Sequence, residues 1–191
     1  MKKLLYIVLP MWMAVSCGSP AKEVQEPLSN QELAEAKAEL GEVAGLSQEA
    51  LLKNVAGAIE KGGTLYAVEF CNLNAVPLTD SLSNHYGVSI SRITEKTRNP
   101  ANALKTENDR SLYNSFLTDD KLKDSLVLEN ENLVYYKRIN TSMPACIKCH
   151  GNPASDIEAE TLKKIKTLYP GDMATGYGMN EFRGLWKIVK N

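Results

Sequence analysis

The chain has 191 residues, four of them cysteine, and its 22 Lys and Arg nearly balance 23 Asp and Glu. With 43% hydrophobic and 24% charged residues it can bury an ordinary core, which excludes global disorder and a disulfide-dense miniprotein. A net charge of -1 offers no basic stripe for a phosphate backbone, so no nucleic acid is expected as a partner.

Residues 1–16 read as an export signal. Lys2 and Lys3 supply the positive start, and Leu4 to Val15 form an apolar run too short to span a bilayer. The following Ala14-Val15-Ser16-Cys17 resembles the lipobox of bacterial lipoproteins, in which the cysteine becomes the lipidated first residue of the mature chain. The alternative is a plain secretory signal with an incidental cysteine. Residues 17–28, with Pro20 and Pro27 and few apolar side chains, read as a solvated tether. Residues 29–191 are then the folded domain. It is expected in the bacterial cell envelope, facing the periplasm and held to a membrane by lipid on Cys17.

Ser29-Asn30-Gln31-Glu32 is a capping-box pattern opening alanine- and leucine-rich helix as far as about Lys61, with Gly41 and Gly45 as possible interruptions. Gly62-Gly63 breaks that pattern. A second helical stretch then sets Val68, Cys71, Ala75, Leu78 and Leu82 on one apolar face. After Gly87 the period changes, and Val88 to Thr94 reads as a strand, with a loop at Asn99-Pro100. His85 reads as an exposed loop residue.

A short helix is predicted from about Asn108 to Leu117, making its apolar contacts through Leu112, Phe116 and Leu117. Strands near Ser125–Glu129 and Leu133–Ile139 follow, joined by a hairpin turn at Asn130-Glu131-Asn132. Ser155-Asp156-Ile157-Glu158 is a second capping-box pattern, predicting a helix to about Leu168. Phe182–Val189 reads as the closing strand. Helices first and strands after argue for an α+β domain built on an antiparallel sheet.

The segment richest in chemistry is Cys146-Ile147-Lys148-Cys149-His150, the attachment signature of c-type haem. Each cysteine can form a thioether to one vinyl group of a single porphyrin, and the adjacent histidine then lies beneath the iron as proximal ligand. Two other readings compete: a disulfide or redox pair, and a zinc site made by Cys71, Cys146, Cys149 and His85. No thioredoxin-like βαβ pattern surrounds the pair, and zinc does not explain why His150 follows Cys149 directly.

For the opposite axial position the candidates are Cys71, His85, Met143, Met173 and Met179. The motif lies late in the chain, unlike that of small cytochromes c with a downstream methionine, and the predicted strands do not suit a cytochrome c′ bundle. Cys71 has no role in lipidation or thioether formation. It is either a buried small hydrophobe or a thiolate ligand that would push the potential down.

Arg92-Ile93-Thr94-Glu95-Lys96-Thr97-Arg98-Asn99-Pro100-Ala101-Asn102 resembles the R-x-T-x-K-x-R-N-P-x-N core of a bacterial c-type haem-binding, PAS-like domain family, formerly a domain of unknown function. Val68 to Asn72, Cys146 to Gly151, and Tyr169 to Tyr177 leading to Phe182-Arg183-Gly184 agree with the same family, in the same order. The resemblance covers about residues 30–190. It implies a PAS-like fold with long N-terminal helices and one covalent haem c held by His150 and Cys71. Its members stand alone or precede histidine kinases, which implies a sensory role. No such output module is read in this chain.

Arg92, Lys96 and Arg98 could neutralise the haem propionates, or they form a solvated charged strand end. Asp172, Thr175 and Tyr177 read as turn chemistry before the last strand. The expected function is a redox or small-gas sensory module, working with a redox or signalling protein partner or a small gas ligand. An electron carrier is the alternative. No distal acid/base histidine can be placed, so a haem enzyme such as a peroxidase ranks last and no catalytic residue is assigned.

Overall fold

The structure is a computed structural model and describes residues 27–190. The signal segment 1–16, Cys17 and most of the tether lie outside the described residues, as does Asn191. Helix α1 (Asn30–Tyr86) opens on the expected box: the Ser29 hydroxyl accepts from the Glu32 N–H, and the Glu32 carboxylate accepts from the Ser29 N–H at 2.8 Å. It closes on Gly87 in the left-handed conformation (φ 66°).

At Gly62-Gly63 the helix kinks, because Gly63 takes φ 70° and ψ -169°, a conformation costly for any side chain. The kink redirects the buried stripe. Leu40, Val43, Ala44 and Ser47, before it, face a sheet; Thr64, Ala67 and Val68, after it, face other helices. Gly41 and Gly45 do not interrupt α1, and His85 lies exposed in its last helical turn rather than in a loop.

Strands β1 (Ser89–Ile93), β2 (Asp124–Glu129), β3 (Asn132–Asn140) and β4 (Phe182–Lys190) form one antiparallel sheet in the order β1-β4-β3-β2. The β2–β3 turn is the pair Asn130-Glu131, both at positive φ (51° and 68°), which matches the twist of a two-residue hairpin. Helix α2 (Glu107–Thr118) packs on the sheet face opposite α1, through Tyr113 and Phe116. Ile90, Trp186 and Ile188 face α1, while Ile93, Leu185, Val134 and Tyr136 face α2.

Two short helices complete the domain, α3 (Pro144–His150) and α4 (Ala159–Leu168). A third apolar cluster, Val68, Ile157 and Ile165 with Cys149 against it, joins them to the second arm of α1. The predicted α+β class and antiparallel sheet are therefore found. Three details differ from the sequence reading. The box at Ser155 does not form: the Ser155 hydroxyl donates to Asp156 Oδ1 at 3.0 Å, its N–H donates to the Asn152 carbonyl at 3.3 Å, and α4 starts at Ala159. A box at Thr106 and Asp109 opens α2 instead. Leu117 is 54% exposed, because the apolar face of α2 runs through Tyr113.

Candidate cofactor site

Helix α3 carries the C-x-x-C-H segment. Extended Met143 precedes it, and Pro144 sits at the first helical positions, where its missing N–H costs nothing. One helical turn then brings Cys146 and Cys149 (i, i+3) and His150 (i+4) to neighbouring positions on α3. The helix ends at Gly151, whose N–H donates to the Ile147 carbonyl at 2.8 Å. A Cβ at Gly151 would stand 2.5 Å from the Ile147 side chain, so glycine is required for this close exit.

The loop 172–177 pairs with the end of α3. Gly176 N–H donates to the Gly151 carbonyl at 2.8 Å, and Tyr177 N–H to the His150 carbonyl at 2.9 Å. In the same loop the Ala174 carbonyl lies 2.7 Å from His150 Nδ1. A carbonyl only accepts, so Nδ1 carries the proton and Nε2 keeps its lone pair for a ligand bond. The Tyr177 ring stands edge-on to the imidazole at 6.5 Å. Burial, and then the charges of Arg98 and Arg183, hold His150 well below its ordinary pKa, so the ring is neutral at pH 7.

Cys71, half-buried on the second arm of α1, faces the same region. Burial raises its pKa, while Arg92 and Arg98 pull it back. Burial pushes the Cys149 thiol up to about 11. Cys71, Cys146 and Cys149 all carry free thiols.

The three basic residues of the segment after β1 divide. Arg98 is 14% exposed and engaged: its Nε and Nη2 donate to the two Asp172 carboxylate oxygens at 3.0 and 3.1 Å, and Nη2 also reaches the Cys149 carbonyl at 2.7 Å. Lys96 sits at the exposed rim, donating to the Thr175 carbonyl at 3.0 Å, 4.3 Å above the Tyr177 ring. Arg92 has no hydrogen-bonding or carboxylate partner among the described residues and lies over the Trp186 ring at 5.8 Å.

Arg183, for which the sequence carries no local signal, also lacks a carboxylate partner among the described residues. Its Nη1 meets the Thr94 hydroxyl at 3.2 Å, but its Nε is buried with no partner among the described residues. Burial lowers the pKa of both arginines. Two desolvated guanidiniums without an anion are costly, and a carboxylate-bearing ligand would relieve that cost.

Of the other axial candidates, Met143 stands at the N-cap of α3 and Met173 in the loop 172–177 that pairs with its end, whereas His85 lies far along α1. His85 is 14 residues beyond Cys71 on α1, about 21 Å along a helix. Met173 and Met179 are 53% and 46% exposed. Among the described residues no three His, Cys, Asp or Glu side chains are grouped to hold a bare metal ion, so the zinc set is not assembled. Asp172 is more than turn chemistry, since it anchors Arg98 and accepts the Ala174 N–H at 3.0 Å. The spacing of 74 residues between Arg98 and Asp172 left no local signal to find it.

The donor set fits a haem. It offers two thiols and a neutral imidazole on one helical turn, a further thiol on the facing helix, and two arginines free for carboxylates. No curated protein matches the chain. Its fold is similar to that in the crystal structure of the cyanobacterial haem protein Tll0287, with a TM-score of 0.58 at 20% identity, covering 85% of this chain and 96% of that one. The Tll0287-like family profile matches residues 14–190, nearly the whole chain, and the chain belongs to that family.

Proposed function

We propose that this protein carries one haem c, with Cys146 and Cys149 as thioether attachments, His150 as proximal ligand and Cys71 as distal ligand, and that it acts as a redox or small-gas sensory module. The observation that carries the reading is the His150 Nδ1 contact to the Ala174 carbonyl, which leaves Nε2 for a metal on the helical turn that holds the two thiols. The solved relative is itself a haem protein. A bound haem would supply a one-electron couple and ligand-exchange chemistry. His150 orients it, and Arg92 and Arg183 bind its propionates. Cys71 would hold the iron as a thiolate, its proton released to solvent, and the thiolate charge would favour the ferric state.

Sensing is favoured over simple carriage by where Cys71 sits. It lies beyond the Gly62-Gly63 kink on an arm tied to α4 by the buried Thr64–Thr161 hydrogen bond (2.6 Å) and by the Lys164–Glu69 ion pair. A bond made or broken at Cys71 would therefore act on an arm that is bonded to α4. The test uses Cys71→Ser in the full chain. It should raise the midpoint potential and remove thiolate features from the ferric spectrum, and the reduced wild type should bind CO rapidly. Spectra and potential unchanged by the substitution would reject Cys71, and reduced protein inert to CO and NO would favour an electron carrier.

A further inference from the structure

The chain holds a relay of contacts behind His150 that nothing in the C-x-x-C-H segment specifies. Ala174 is gripped at both ends of its peptide unit. Its N–H donates to Asp172 Oδ1 at 3.0 Å and its carbonyl faces His150 Nδ1 at 2.7 Å. Asp172 is 7% exposed and cannot swing into water, because the Arg98 fork takes both its oxygens. Arg98 Nη2 also bonds the Cys149 carbonyl at 2.7 Å and approaches the Ala174 carbonyl at 3.4 Å. One guanidinium thus joins the residue before His150 to the loop whose carbonyl accepts the His150 hydrogen bond.

We propose that Arg98 and Asp172 act as a positioning pair for His150, fixing its Nδ1–H tautomer and ring orientation through Ala174, so that Arg98 serves the iron through the histidine rather than the propionates. The proposal rests on His150 being the proximal ligand. The physical consequence follows from the hydrogen bond. A firmly held Nδ1–H···O=C contact makes the imidazole a stronger donor and favours the ferric state, so loosening Ala174 raises the potential. Lysine cannot replace Arg98, since an ammonium lacks the planar fork that matches a carboxylate. Asparagine at 172 keeps the shape but loses the charge that holds the fork.

Two readouts test this in the full chain, on Asp172→Asn, Arg98→Lys and the double variant. Nitrogen-15 NMR of His150 in apoprotein reports the tautomer without any haem. The wild type should hold Nδ1–H, and each variant should shift the tautomer ratio about fivefold or more, the loss of one hydrogen bond. In haem-loaded protein each single variant should raise the midpoint potential, and the double variant should add little beyond either one, as members of one unit do. Lys187→Met, which removes a buried charge on the sheet, controls for general loosening and should leave both readouts unmoved. If Arg98→Lys does not fold, Asp172→Asn decides alone. Unchanged tautomer and potential in the folded variants, or an equal shift from Lys187→Met, overturns the proposal. If the wild type carries no haem the proposed function fails instead, and the tautomer measurement still decides the positioning claim.

Discussion

At Asp109 burial and hydrogen bonding oppose each other. The side chain is 1% exposed, which alone would push its pKa up, yet bonds from Lys187, the Lys105 N–H, Tyr136 and the Thr106 N–H hold it below the ordinary value. A carboxylate with a depressed folded pKa contributes stability that is present above its unfolded value of about 4 and lost as pH falls through the folded one. Asp109→Asn should therefore cost about 3 kcal/mol at pH 7 and flatten the acid limb of the stability curve below about pH 4. The figure sits at the low end for a broken buried pair because Glu129 lies 3.9 Å from Lys187 and shares its charge. Urea unfolding at several pH values checks both, and a variant as acid-sensitive as the wild type would contradict the assignment. The same scale shows what a sequence conceals. Cys71 was visible as a thiol on an apolar helix face, but Arg183 and Asp172 were not, because their partners Thr94 and Arg98 lie 89 and 74 residues away.

Among the elements, β4 carries the tightest constraint. Gly184 sits at φ 157° beside the β3 bulge between Ile139 and Asn140, and a Cβ there would stand 2.6 Å from the Ile93 carbonyl. That carbonyl belongs to the neighbouring strand and cannot move without breaking the sheet. Gly184→Ala should cost about 2 kcal/mol, read as a lower urea midpoint with an unchanged slope. An unaffected midpoint would mean that β1 and β4 separate more easily than their register implies. Period and turn chemistry made the strands legible to within a residue or two, since alternation and the Asn130-Glu131 turn are local properties. The start of α4 is less legible for a matching reason: Ser155 has several possible partners in its own neighbourhood, and only the folded loop decides that Asp156 and Asn152 take it. Helix α3 gave no sign either, being too short to show a period.

For the molecule as a whole, the kinked α1 is the member that joins everything. Its first arm packs on the sheet through Leu40, Val43 and Ala44, and its second meets the C-x-x-C-H segment through Val68, in one cluster with Cys149. Among the described residues no helix is long and apolar enough to cross a membrane. The C-x-x-C-H segment and the α+β class could be read from local pattern. The site around them is tertiary, assembled from α1, the segment after β1, α3, the loop 172–177 and β4. Covalent haem on α3 is tested by a pyridine haemochrome of the full chain, matured with c-type haem attachment and then extracted with acid acetone. A c-type haemochrome should stay with the protein and be lost in Cys146→Ser/Cys149→Ser. A haem that extracts freely, or a wild type with no haemochrome, would contradict covalent attachment.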